Sequence, residues 1–323
     1  MRAMCPLPPT LRYEPSAWES AWRLEHAPRI QTDRSRAWAQ GCEAMSREPT
    51  TTVEAWLEFV RLRRRAWRGA PLPEPSRAAA HALSFHALVD PCTNQTLARL
   101  PIEPLVGFLR HPEAHCTAKG RYSFWAVQQS KGYLIPAWHQ EAWPSAGRRT
   151  PAFLLDLGAS TYAKGLGGAS TKWFVDEYRA RGIDFHHIYA WEAKFHADAD
   201  IYGAMPFAIV DRTSYYNLPV DAQPGAKHNP WRTLRAIATP RDFVVVKIDI
   251  DNSSVEEPLV AQLLADRSLA RLVDELYFEH HVRNTPMWTC CWRQSTVTDH
   301  TLVHSYDVFS RLRELGIRAH SWV

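Results

Sequence analysis

The chain has 323 residues, 46% of them hydrophobic and 22% charged. That balance excludes a disordered chain and leaves room for one large domain or two modest ones. A net charge of +4 is too weak to point to nucleic acid, which needs a clustered basic face, and no run of ~18 apolar residues offers a membrane span.

In chain order, no apolar h-region follows Met1 and Arg2, so no signal peptide is read. The six cysteines form no C-x-x-C pair, and free thiols in a reducing compartment, cytoplasmic by default, are expected. Residues 1–75 carry Trp18, Trp22, Trp38, Trp56 and Trp67 between polar and Arg-rich stretches and read as helices without strands. The run Arg61, Arg63, Arg64, Arg65 and Arg68 lies in a helical stretch and reads as a solvated face, its stems covering apolar surface. Pro71, Pro73 and Pro75 form a stiff linker or a helix stop, and a short helix is expected over Ala78–Leu88. Residues 76–150 are otherwise irregular and Pro-punctuated. Pro101–Pro112 and Ser130–Leu134 look like a segment covering the domain that follows.

From Pro151 the pattern changes to alternating strands and helices. Strands are expected at Phe153–Leu157, Phe185–Trp191, near Phe207–Val210, at Phe243–Asp249, Asp274–Glu279 and Ile317–Val323. Helices are expected over Ser170–Arg181, from the cap Asn229-Pro230, over Ser254–Ala265 and over Ser305–Leu315. That alternation predicts an α/β fold with a parallel, doubly wound sheet over residues 151–323.

Four strand ends carry chemistry. Asp156-Leu-Gly158-Ala159-Ser160, followed by Gly165, Gly167 and Gly168, is an acid and a glycine loop at a strand's carboxyl end, where open α/β sheets bind ligands. Trp191-Glu192 ends the second strand, and its carboxylate offers acceptors for two ribose hydroxyls. Lys247, Asp249 and Asp251 share parity on a Val-rich strand, where buried charge is costly unless paired. That leaves two readings, a site or a salt bridge supporting the fold. Glu279, His280 and His281 end the next strand. If the two strands end level, Asp249, Asp251, Glu279 and His281 could hold a divalent metal or supply a general base. His186-His187 reads as structural, and His300 with His304 as a chance pairing.

Asp156-Leu-Gly158, Trp191-Glu192, Val246-Lys247-Ile-Asp249 and Phe278-Glu279-His280 resemble the successive strand-end motifs of S-adenosylmethionine-dependent methyltransferases, in particular the FkbM-like group. The resemblance covers about the second half of the chain. It implies a Rossmann-like, doubly wound, mostly parallel sheet of methyltransferase type, here behind a helical, Pro-rich N-terminal extension. It implies S-adenosyl-L-methionine as cofactor. Asp156, Gly158, Ala159 and Ser160 would contact it, Asp156 and Gly158 at the methionine part. Glu192 would bind the ribose, with Trp191 as a wall beside the adenosine. Asp249 would lie near the transfer site, with His281 or His280 as base for a small-molecule or glycan hydroxyl, and Asp249 or Asp251 as alternatives. Two features depart from the group: the first loop lacks a compact glycine run, and the chain ends soon after Trp322, leaving little for a closing antiparallel strand pair. Two other readings stand. Asp249-Ile-Asp251 is formally the D-x-D of a nucleotide-sugar glycosyltransferase, and the chain could be an inactive interaction protein with a methyltransferase-like scaffold.

Overall fold

A computed structural model describes residues 10–30, 50–66, 71–107, 131–142, 150–164, 171–283, 292 and 300–323. Trp38, Trp67, Arg68, Pro112, Gly165, Gly167, Gly168, Cys290 and Cys291 lie outside the described residues.

Strands β4 (Ala152–Leu157), β5 (His187–Trp191), β6 (Thr213–Tyr216), β7 (Phe243–Ile248), β8 (Glu275–Phe278) and β9 (Arg318–Ser321) form one sheet in the order β6-β5-β4-β7-β8-β9. Every neighbouring pair is parallel. Counted from β4, this is the doubly wound order 3-2-1-4-5-6, with the order reversing between β4 and β7. The Val-rich β7 is buried along its whole length, as a parallel strand covered by helices on both faces must be. The last strand, β9, runs parallel to β8. No antiparallel strand joins this sheet among the described residues.

The expected third strand is corrected. Phe207–Val210 is a one-turn helix, and the strand is Thr213–Tyr216. Pro206 supplies the extended residue before that helix. Phe207 stands 89% exposed, so its apolar run is not a core strand. The expected helices form close to where they were placed. Asn229 caps Pro230–Ile237 by accepting from the Trp231 N–H. Gly182 and Gly316, at φ 86° and 91°, stand just beyond the helices Thr171–Ala180 and Leu302–Glu314.

The first half is also corrected, because it contains strands. Thr10–Glu14 (β1), Ser84–Val89 (β2) and Thr96–Ile102 (β3) form a second, antiparallel sheet in the order β1-β2-β3. The helix expected over Ala78–Leu88 spans Arg77–Ala82 and ends at Leu83. The residues after it instead become the central strand, hydrogen-bonded on both edges. Alanine-rich helix propensity loses there to tertiary pairing.

The expectation of free thiols also fails. Cys92, in the β2–β3 turn, is disulfide-bonded. The argument for a reducing compartment therefore loses its ground. The Arg run is corrected in part. Arg61 is exposed, but Arg63 is buried and pairs with Glu141 at 2.6 Å. No helix among the described residues is long and apolar enough to cross a membrane.

One continuous core joins the two sheets, running from Trp18, Trp22 and Trp56 to Leu154, Val245 and Trp322. Buried ions fasten the first sheet to the edge of the second. Arg313 donates to the Tyr13 hydroxyl at 2.9 Å, the Glu103 carbonyl at 3.0 Å and the Ala319 carbonyl at 2.9 Å, and pairs with Glu19 at 3.4 Å. Arg318 donates to Glu275 at 2.7 Å and to the carbonyls of Pro101 and Ile135. His320 binds Glu103 at 2.7 Å. Removing one partner of such a network leaves the other buried and uncompensated. Arg313→Met is expected to cost ~3–5 kcal/mol of stability, read from urea unfolding. A loss below ~1 kcal/mol would show that the network is dispensable.

Candidate functional site

β4 and β7 pair so that Asp156 lies opposite Lys247. The Lys247 ammonium sits between Asp156 at 3.3 Å and Asp249 at 3.2 Å and donates to the Gly158 carbonyl at 2.7 Å. Lys247 and Asp156 are wholly buried. Burial pushes the ammonium down, but the two carboxylates outweigh it and hold it above its ordinary value. Asp156 also accepts from the Thr171 hydroxyl at 2.7 Å, and Asp249 from the Trp322 indole at 3.1 Å. Burial pushes Asp249 up, and Lys247, with a hydrogen bond to Glu279 and the charge of Lys131, more than reverses it. The fold-supporting salt bridge is therefore present, and it takes up both Asp156 and Asp249. The D-x-D reading suffers directly, since its first carboxylate is occupied.

The common face expected of Lys247, Asp249 and Asp251 holds for the first two. The strand ends at Ile248, and Asp251 follows in the left-handed region at φ 58°, exposed.

Gly158 has φ 83°, and a Cβ there would lie 1.7 Å from the Asp249 carbonyl oxygen. This glycine lets the β7 loop close on the β4 loop across the switch point. Its N–H and that of Ala159 bind the Trp191 carbonyl at 2.9 and 3.0 Å. Ser160, at φ 50°, donates its N–H to Glu192 at 2.9 Å. The other oxygen of Glu192 accepts from the Lys194 N–H at 2.8 Å. Thus Gly158, Ala159, Ser160 and Glu192 do come together at adjacent strand ends. Trp191 is 4% exposed and stacked on Tyr216 at 5.0 Å. It supports this region from below the surface and does not stand as an open wall.

At the end of β8, one carboxylate oxygen of Glu279 contacts His281 Nε2 at 2.9 Å and the other accepts from the Trp292 indole at 3.0 Å. His281 Nδ1 lies 3.4 Å from the Ser253 hydroxyl. The ligand atoms of Asp251, Glu279 and His281 all lie within 4.8 Å of one another. Burial pushes His281 down, but Glu279, with Glu256 and Asp251, overrides it and raises the imidazole to about 9. At neutral pH this pair holds a proton, so His281 is not a ready base. His280 points elsewhere. It is buried, bonded to Ser305 at 2.9 Å and stacked on Phe278.

Two buried groups escaped the sequence reading. Glu256 accepts from the Ile250 N–H at 2.7 Å, and burial raises its carboxyl to about 8. Lys131 lies 4.4 Å above the Trp322 ring and donates to the Val323 carbonyl, and burial lowers it to about 8. Glu256, five residues past Asp251 in a helix start, carried a positional signal. Lys131, in an irregular segment, carried none. The other histidines singled out in the sequence make contacts within the fold. His187 bonds Ser214, His186 packs edge-on to Phe153, and His300 and His304 stack at 4.2 Å with His300 on Glu257. A cleft of about 320 Å³ lined by Asn229, Trp231, Arg235, Gln262 and Asp266 lies by the far end of the helix Ser253–Ala265, away from these strand ends.

No protein-family model, curated protein or solved structure matches the chain.

Folded chain binds the Glu256 proton more tightly than unfolded chain. That contribution is fully present below the ordinary value of 4.5 and is lost as pH rises through about 8. Wild-type stability should therefore decline between about pH 5 and pH 8 with an extra slope of up to ~1.4 kcal/mol per pH unit, and Glu256→Gln should remove that slope. Parallel urea-stability curves for the two proteins would mean that Glu256 is ionised throughout. Gly158→Ala should cost ~3 kcal/mol, from the left-handed backbone and the contact with Asp249, in the same measurement.

Proposed function

We propose that the chain is an S-adenosylmethionine-dependent methyltransferase acting on a hydroxyl of a small molecule or sugar. The observation that carries this reading is Glu192. Its two oxygens are fixed by the Ser160 and Lys194 N–H groups, beside the point where the strand order reverses. Each oxygen keeps a further lone pair, which suits a pair of ribose hydroxyls.

The surroundings fit a cationic cofactor. Burial, then Asp249, raises Asp251, and Glu192 adds to the effect, so three carboxylates share one neighbourhood. Such a field attracts a sulfonium and an ammonium group. Glu192 would hold the ribose, and the Gly158–Ser160 backbone would lie at the methionine end. When bound, the cofactor supplies an already activated methyl group.

The chain's own task is then to bind, orient and deprotonate. Asp249 is engaged by Lys247 and Trp322, and His281 holds a proton against Glu279. Asp251 is the exposed carboxylate beside them and takes the role of proton acceptor. The resemblance of the strand-end motifs to the FkbM-like group points the same way.

The test is thermal unfolding with S-adenosylhomocysteine. At about a hundred times its dissociation constant it should add ~2.7 kcal/mol, a rise of several degrees. Glu192→Ala should abolish the rise. No response to S-adenosylhomocysteine, with stabilisation by uridine diphosphate and manganese beyond manganese alone, would replace this reading with a glycosyltransferase. No response to either would leave the scaffold without its cofactor.

A further inference from the structure

The end of β8 holds a donor set of which the methyl-transfer reading uses only Asp251. Asp251 reaches it from the loop after β7, and Glu279 and His281 from the residues after β8. Their ligand atoms converge within 4.8 Å. We propose that Asp251, Glu279 and His281 bind a divalent cation.

Charge supports the assignment. Lys247 lies between Asp156 and Asp249, and the carboxylates acting on His281 are Glu279, Glu256 and Asp251, of which Glu279 and Asp251 bring a ligand oxygen to it. Two carboxylates and a neutral imidazole balance a charge of two. A mixed set of one nitrogen and two oxygens suits Mn²⁺ or Zn²⁺ better than Mg²⁺, which prefers oxygen alone. The Nε2 of His281 and one oxygen of Glu279 lie 2.9 Å apart, joined by a hydrogen bond. A cation there displaces the proton between them, which leaves to solvent.

The ligands are also held from behind. Ser253 lies by the other ring nitrogen of His281, and Trp292 stacks on its ring at 4.9 Å. The Trp292 indole binds the second oxygen of Glu279. Such outer contacts fix ligand orientation and tautomer. Glu279 and His281 are buried, whereas Asp251 is exposed, so the site opens to solvent on the Asp251 side. Three protein ligands leave positions for water or for an oxygen of a substrate. The site rests on these residues alone and holds whether or not S-adenosylmethionine binds.

Mn²⁺ alone is the probe. Titrating the full, metal-free chain and reading the six-line resonance of free Mn²⁺ should show one bound equivalent. Asp251→Asn, an exposed and conservative change, and Glu279→Gln should each weaken binding at least tenfold. Electron spin-echo modulation of the bound ion should show a directly coordinated imidazole nitrogen, lost in His281→Gln. An undiminished free-ion signal in wild type, equal affinity in Asp251→Asn, or no nitrogen modulation would overturn the assignment. These readouts are blind to S-adenosylhomocysteine, so this proposal and the cofactor reading fail separately.

Discussion

The Lys247 ammonium, closed between Asp156 and Asp249, is the contact on which the rest of the α/β half depends. Burying an ammonium and two carboxylates is expensive unless geometry and extra hydrogen bonds compensate. Here the Gly158 carbonyl, the Thr171 hydroxyl and the Trp322 indole complete the set. Each of those partners comes from a different segment. The ion cluster therefore ties together the first loop, the helix after it, the central strand β7 and the chain's last residues. Gly158 is required beside it, because the β7 loop, paired by the Asp249 N–H to the Leu157 carbonyl, lies close enough to exclude a Cβ.

A second buried ionic layer works at the sheet edge. Arg318 and His320 on β9, with Arg313 on the preceding helix, bind Glu275, Glu103, Glu19 and Tyr13. A bare edge strand invites pairing with another chain. Here Tyr133 reaches the Ser321 carbonyl, and Ile135 accepts from Arg318. The irregular segment thus covers β9 and accepts from its Arg318 at once. The early tryptophans belong to the same arrangement, since Trp56 donates to the Tyr133 carbonyl while packing edge-on to Trp18.

What was legible in the sequence followed physical locality. The Val run of β7, the cap at Asn229-Pro230 and the stops at Gly182 and Gly316 each act within a few residues, and each forms where its residues predict. The strand-end residues were legible because a parallel sheet delivers its strand ends to one side. What failed depended on distant partners. Arg63 looks solvated until Glu141, 78 residues away, buries it. The strand β2 looks helical until β1 and β3 flank it. His280 and His281 look equivalent, yet one turns to Ser305 and the other to Glu279. Lys131 had no signal at all, because nothing local explains an ammonium beneath Trp322.

The crevice is left with more acid than base. Lys247 is matched by Asp156 and Asp249. Asp251, Glu256 and Glu279 face the Lys131 ammonium, which acts on Glu279, and the His281 imidazole, and burial raises all three. Carboxylates crowded in low dielectric settle by binding protons or by gaining a cation. Glu256 does the former, and the His281–Glu279 pair shares a proton. The crevice therefore keeps a demand for positive charge at its solvent-facing carboxylates, of which Asp251 is one. A sulfonium beside Glu192 and a metal ion beside Glu279 would answer that demand from opposite ends, with Asp251 exposed between them. An acceptor hydroxyl placed beside Asp251 would then meet an activating charge and its methyl donor in one line of strand ends.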